Sequence, residues 1–224
     1  MNADKIIGGI FENSPFFSAE PDGEEPIVGT LNLTGSRLFV ITGENATGKS
    51  FLRRVISGRL RKNKVEAIGL SQEGRSSSGI ASACIYGDEQ WQSTGANSTH
   101  TLLAAFKTAK SREGKHAIIF DEPDIGLSDA YAAGAGIAIS DFVRDIPSKT
   151  VLVAVMTHRK ALVRQLLPAN PSFIHLGVGG PASIGEWLDM EVVPKPISEL
   201  PGRSHELFSK IHPILSRLSD KGRK

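Results

Sequence analysis

With a single cysteine, Cys84, the 224-residue chain can form no intrachain disulfide and no cysteine cluster for zinc. Cys84 sits in the apolar stretch IASACIY and is expected as a small strand residue, not a reactive thiol. The chain also lacks a large excess of charge. A net charge of +2 is too small to argue for nucleic acid, although a pI of about 8.7 does not oppose it. No apolar run approaches the roughly 18 residues needed to cross a bilayer, and MNADKIIGGIFENS has no charged-then-apolar secretion signal. A cytoplasmic protein is the expectation. Repeats and heptads are missing too. What is present, 40% hydrophobic and 22% charged residues, is enough for one well-filled α/β domain over 1–224.

Five short apolar runs have strand character: RLFVIT (37–42), VEAIGL (65–70), HAIIF (116–120), TVLVAVM (150–156) and FIHLGV (173–178). Most lack strict alternation, as expected for strands covered on both faces. Helical patterns lie between them. Leu52, Val55, Ile56 and Leu60 recur at helical spacing; STHTLLAAFKTAKSRE offers Ser98 as N-cap; DAYAAGAGIAISDFVRDI is the third. Gly134 and Gly136 inside that third helix are expected to pack closely against a neighbour. Strands alternating with helices predict a mainly parallel central sheet flanked by helices, with its core at about 37–178. The acidic, proline-bearing SPFFSAEPDGEEP reads as loop. Gly179, Gly180, Pro181, Pro194, Pro196 and Pro201 predict an irregular connection over 179–203. The end, SHELFSKIHPILSRLSDKGRK, predicts a helix with Leu207, Ile211, Leu215 and Leu218 on one face and a kink point at Pro213.

Directly behind RLFVIT stands GENATGKS, residues 43–50, which meets G-x-x-x-x-G-K-[ST] through Gly43, Gly48, Lys49 and Ser50. A strand ends, the backbone turns tightly, and a helix begins with its N–H groups facing a concavity suited to phosphate oxygens. Glu44, Asn45, Ala46, Thr47 and Phe51 complete that cradle. Lys49 would reach the β- and γ-phosphates, and the Ser50 hydroxyl would ligate Mg²⁺. A nucleoside triphosphate is therefore the expected ligand. The loop reads phosphates and leaves ATP and GTP undistinguished. A second site follows in AIIFDEPD (117–124), a strand ending in Asp121 and Glu122. Asp121 suits coordination of Mg²⁺, and Glu122 can polarise a water aimed at the γ-phosphate.

On these motifs the chain resembles ABC-type ATPases, in the branch with chromosome-maintenance, RecF-like and other non-transporter cassettes. Their loop commonly reads GxNGxGKS; here Asn45 is kept and Ala46 replaces a glycine. Their strand-end DEP is matched by IIFDEP. DIGLSD (124–129) is similar to their D-loop, with Ser128 or Asp129 at its acidic position. The family's switch histidine is matched by His158 in VLVAVMTHRK, where it would hydrogen-bond the γ-phosphate. The signature LSGGQ is matched loosely by QSTGA: Ser93 and Gly95 fit, while Gln92, Thr94 and Ala96 depart. The resemblance implies that Ser93 and the helix start behind it face another subunit's nucleotide, in a nucleotide-dependent homodimer. It also implies a loop glutamine that touches Mg²⁺ and the attacking water; Gln72 is favoured, with Gln90 and Gln92 competing. No adenine-stacking aromatic is assigned, although Phe16 and Phe17 lie upstream. The short stretch from Lys49 to Asp121 leaves no room for a long coiled-coil insertion and little for a transporter's helical subdomain.

FLRRVISGRLRKNK concentrates Arg53, Arg54, Arg59, Arg61, Lys62 and Lys64 on or after the loop's helix. They read as a nucleic-acid-backbone contact or, more simply, as a solvated face with cations near a helix C-terminus. Three functions stay open, with a binding-only regulator that no longer hydrolyses as a weaker fourth. The first is an ATPase that dimerises around ATP and Mg²⁺ and acts on a DNA or protein partner. The second is the ATP-binding subunit of a membrane transporter. The third is a phosphotransferase, which would need an acceptor pocket and a lid with basic residues.

Overall fold

A computed structural model describes residues 2–18, 27, 29–70 and 93–221. Gln72, Cys84, Gln90 and Gln92 lie outside the described residues. Among the described residues six strands form one sheet: β1 (Gly29–Asn32), β2 (Leu38–Gly43), β3 (Glu66–Leu70), β4 (His116–Asp121), β5 (Thr150–Met156) and β6 (Ser172–Leu176). Their order is β1-β6-β2-β5-β4-β3, parallel throughout except for β1 against β6. The five expected strands are all present. β1 is an addition at the edge.

The lack of alternation has its expected cause. β2 and β5 are buried at every position, so both of their faces must be apolar. On one face Phe39, Ile41, Ile119, Ala154 and Ile174 meet helices α1 (Ala3–Asn13), α2 (Lys49–Lys62) and α7 (Glu199–Lys221). On the other, Leu38, Val40, Ile118, Phe120 and Val155 meet α3 (Thr94–Ser111), α4 (Asp129–Arg144), α5 (Lys160–Arg164) and α6 (Ile184–Asp189). Each fully buried Leu, Ile or Phe in these layers contributes on the order of 2 kcal/mol. Among the described residues no helix is long and apolar enough to cross a membrane.

One helix is new and three expectations change. The N-terminal region contains α1, whose Ala3, Ile6, Ile7 and Ile10 form a helical stripe buried on the sheet, and whose N-cap Asn2 accepts from the Asp4 N–H. Ser98 is not an N-cap. The cap is Ser93, which accepts from Ala96 N, and Ser98 is buried inside α3, donating to Thr94 O and to Ile125 O at 2.8 Å. The 179–203 connection holds α6, started by Ser183, which accepts from the Glu186 N–H while the Glu186 carboxylate accepts from Ala182 N. Finally, α7 begins at Glu199, with Pro201 in its first turn, where a missing N–H costs no helical bond. Its buried residues are Ile211 and Ile214 with Leu207 partly covered, whereas Leu215 and Leu218 are exposed.

The two helical glycines of α4 separate. A Cβ on Gly136 would lie 2.4 Å from the Leu162 carbonyl oxygen, so this glycine permits the close approach of α4 and α5. Gly134 faces open space. Gly136→Ala is expected to destabilise the fold by about 1–3 kcal/mol through overpacking, and Gly134→Ala to stabilise it by about 0.4–1 kcal/mol. Denaturant unfolding of both variants checks the pair; equal effects would mean that the α4–α5 contact is loose.

Candidate functional site

Parallel strands deliver their carboxyl ends to one side of a sheet. Because β2, β5 and β4 are neighbours in that order, they bring together the loop 43–50, the segment from Thr157, and Asp121 with Glu122.

The 43–50 loop is held by backbone geometry. Gly43 and Gly48 have φ of 140° and 100°, and a Cβ on Gly43 would lie 2.6 Å from Leu176 O and 2.7 Å from Thr47 Oγ1. Ala46 has φ of 60°. This left-handed backbone explains why glycine is common there in the resembling loops, and alanine in its place costs roughly 1–2 kcal/mol. Thr47 Oγ1 closes the turn by donating to Glu44 O at 2.9 Å. α2 then starts at Lys49, so its first N–H groups have no partner within the helix and Ser50 stands exposed beside them. Lys49 is only 7% exposed, and its Nζ donates to Gly43 O at 2.9 Å and Glu44 O at 2.8 Å. Burial pulls its pKa down to about 8, against the upward pull of Glu122, Asp121 and Glu44.

Asp121 pairs with Arg53, whose Nε is 3.1 Å from Oδ2. Arg53 lies three residues after Ser50 in α2 and so shares its face. Glu122 departs from the ordinary backbone, with φ of 54°, and its N–H is tied to Met156 O at 2.9 Å. Such a conformation costs of order 1–3 kcal/mol. His158 Nε2 stands 3.5 Å from Glu122 Oε1. The contact with His158 holds the Glu122 carboxyl below its ordinary range despite burial, with help from Lys49, so at neutral pH it is a carboxylate.

Behind this pair, the Thr157 hydroxyl donates a bifurcated bond to Asp124, 3.0 Å from each carboxylate oxygen. Burial raises the Asp124 pKa, and Arg159 bridges Asp124 and Asp129, with Nε 3.6 Å from the first and Nη1 2.8 Å from the second. The links join the segment after β4 to the segment after β5, and thereby set Glu122 against His158. Of the two D-loop candidates, Asp129 carries the charge pair with Arg159, while Ser128 caps α4 without a side-chain bond. The start of α3 packs on the same segment: Ser93 is exposed, and Gly95 is buried where a Cβ would lie 2.6 Å from Gly126 O.

The C-terminal region roofs the loop. Glu44 accepts from both Lys195 and Arg203, the latter at 2.5 Å, and these cations lower its pKa. With Asn45, His158, Val193 and Leu200 they line a cavity of about 650 Å³. Phe16 and Phe17 are buried and Phe51 is partly buried against them, the Phe16 and Phe51 rings 4.7 Å apart. His175 lies beneath the loop, its Nδ1 2.9 Å from the Thr42 hydroxyl, and burial lowers its pKa.

The basic cluster of α2 is divided. Arg53 is on Asp121 and the Arg59 guanidinium lies against Gly9 of α1, while Arg54 is exposed along the helix and Arg61, Lys62 and Lys64 are exposed at and beyond its end. Sequence reasoning missed Lys195, Arg203, the Arg53–Asp121 pair and the Asp124–Thr157–Arg159 links. A usable signal existed for Arg53, the i, i+3 spacing from Ser50; none marked Lys195 or Arg203.

Among the described residues no group of three or more His, Cys, Asp or Glu side chains is placed to hold a metal unaided. An ion held by Ser50 and Asp121 would therefore have to take most of its oxygen ligands from phosphate and water. Comparisons with protein-family models, curated proteins and solved structures returned no match.

Proposed function

We propose that this chain is a Mg²⁺-dependent nucleoside triphosphatase of ABC type, which binds ATP on the 43–50 loop and hydrolyses it. The observation that carries this reading is the convergence of Lys49, Asp121, Glu122 and His158 on the carboxyl ends of three adjacent strands, with Glu122 held ionised in a strained backbone. The N–H groups of the loop and of α2 would cradle the phosphates, and Lys49 would exchange its two carbonyl partners for phosphate oxygens. Ser50 and Asp121 would hold Mg²⁺, which supplies charge stabilisation as negative charge spreads over the transferring phosphoryl group. Glu122 would orient and deprotonate the attacking water, and His158 would position both Glu122 and the γ-phosphate. In the ABC-type form of the reading, the exposed Ser93 of a second copy meets the nucleotide and a sandwiched homodimer forms. A DNA or protein partner would take up the resulting motion.

A phosphotransferase is the second reading, and one observation favours it. The cavity beside His158 is roofed by a segment that carries Lys195 and Arg203, the basic lid and acceptor space that such an enzyme needs. Product analysis separates the two. Protein incubated with Mg-ATP is expected to release inorganic phosphate without an added acceptor; phosphate release only as a phosphorylated small molecule would select the second reading. If equilibrium dialysis finds neither ATP nor GTP bound, both readings fall.

A further inference from the structure

The clamp on Glu44 joins the second residue of the loop to side chains 151 and 159 positions further along the chain. Two cations share one carboxylate, and Glu199 also lines the cavity, so Lys195 and Arg203 are gathered at the mouth of the site as paired phosphate-type donors and not as an unbalanced charge. Both cations are partly solvated, at 47% and 40% side-chain exposure, and pairs this exposed exchange partners at little cost. Residues 190–197, which present Lys195, are weakly anchored by packing, whereas Arg203 stands near the start of α7. Val192, Val193 and Ile197 are 86%, 69% and 88% exposed, and a bond from Lys160 Nζ to Met190 O ties the segment to α5. Lys195 and Arg203 line the same cavity as Asn45 and His158.

We propose that Lys195 and Arg203 are binding residues for the terminal phosphate of the nucleotide, supplied in cis by a C-terminal lid that Glu44 holds in readiness. A triphosphate end offers more oxygens and more charge than one carboxylate, and guanidinium matches phosphate in a two-point geometry. When the triphosphate enters, both cations leave Glu44 for its outermost oxygens, and the lid closes over the loop. A diphosphate ends one phosphate short and leaves them on Glu44. The lid therefore reads the length of the phosphate chain. This inference rests on the nucleotide reading above and holds for hydrolysis and phosphotransfer alike.

The test compares calorimetric affinities for the β,γ-imido analogue of ATP and for ADP, both with Mg²⁺, in the wild type and in Lys195→Ala/Arg203→Ala. The double variant is expected to lose about 10–100-fold in affinity for the triphosphate analogue while its ADP affinity stays within about twofold. Should the double variant not fold, Lys195→Gln and Arg203→Gln taken singly give the same readout, each with a loss of about tenfold. Unchanged or tighter triphosphate binding would make the clamp a plain tether, and an equal loss for both nucleotides would assign the cations to the inner phosphates; either result overturns the lid. Failure of the wild type to bind either nucleotide overturns the nucleotide reading itself, and the lid with it.

Discussion

Glu122→Gln is expected to bind Mg-ATP as tightly as the wild type and to release phosphate about 10²–10⁴ times more slowly. The carboxylate is ionised at neutral pH because His158 and Lys49 favour its charge more strongly than burial opposes it. An amide of the same shape keeps the contact with His158 and leaves the φ of 54° and the bond to Met156 untouched, but it cannot take a proton from water. Binding by calorimetry and phosphate release under single-turnover conditions measure the two halves separately. Equal release rates in variant and wild type would remove Glu122 from the chemistry. The same variant, which holds its nucleotide unhydrolysed, is the form in which to look for association. Light scattering that shows a dimer only with Mg-ATP would support the sandwich and make Ser93 the next residue to change. A monomer with nucleotide bound would turn attention to an acceptor in the cavity beside His158.

These two outcomes are linked through the lid. The face formed by Glu44, Asn45 and His158 is where a second copy would have to approach, and the chain's own C-terminal segment lies there. A partner can reach the nucleotide only if that segment shares the face or moves off it. The exposed apolar side chains of Val193 and Ile197 cost little to move, since they bury almost nothing where they are. Release of the Glu44 clamp on triphosphate binding would thus precede association, so the two events are ordered by geometry.

The strands of the sheet could be read from the sequence because burial on both faces demands unbroken apolar runs, and Gly or polar residues mark their ends. The same physics concealed β1. Its four residues, GTLN, obtain their strand character from hydrogen bonds to β6, and no periodicity can show in so short a run. Ser98 misled because serine serves equally as a cap and, turned inward, as a donor to carbonyls; only the presence of Ile125 O beside it decides between them. In α6, S-I-G-E carried a capping signal that the surrounding prolines and glycines masked. The site divides in the same way. Lys49, Asp121, Glu122 and His158 were read from motifs because each belongs to a short local pattern at or just after a strand: the loop behind β2, the end of β4 and the segment after β5. Lys195 and Arg203 act through contacts across more than 150 residues of chain, and no local pattern encodes such a contact.

Lys49→Ala is expected to weaken ATP binding by at least about 100-fold, the loss of a buried charge-assisted contact to two phosphates. The nucleotide-free protein offers a second readout that does not depend on any ligand. Burial lowers the lysine's pKa from 10.5 to about 8, while the unfolded chain keeps the higher value. Below pH 8 both states carry the proton and the folded state bears the cost of the buried ammonium. Between pH 8 and 10.5 the unfolded state binds more protons than the folded one, so this lysine's contribution to stability must rise with pH, by roughly 3 kcal/mol in all. Glu122, Asp121 and Glu44 face the ammonium and keep the pKa from falling further, and His175 feels its charge from below. In Lys49→Ala the rise disappears. Denaturant unfolding of wild type and variant from pH 7 to 10 isolates it as the difference between two curves, since the remaining titrations are common to both. Parallel curves would mean that Lys49 is solvated in the free protein and turns inward only with its ligand. Curves that run parallel below pH 8 and change their separation above it, as the wild type alone gains stability, together with the loss of ATP binding, would assign to one side chain both a cost to the fold and the contact with phosphate.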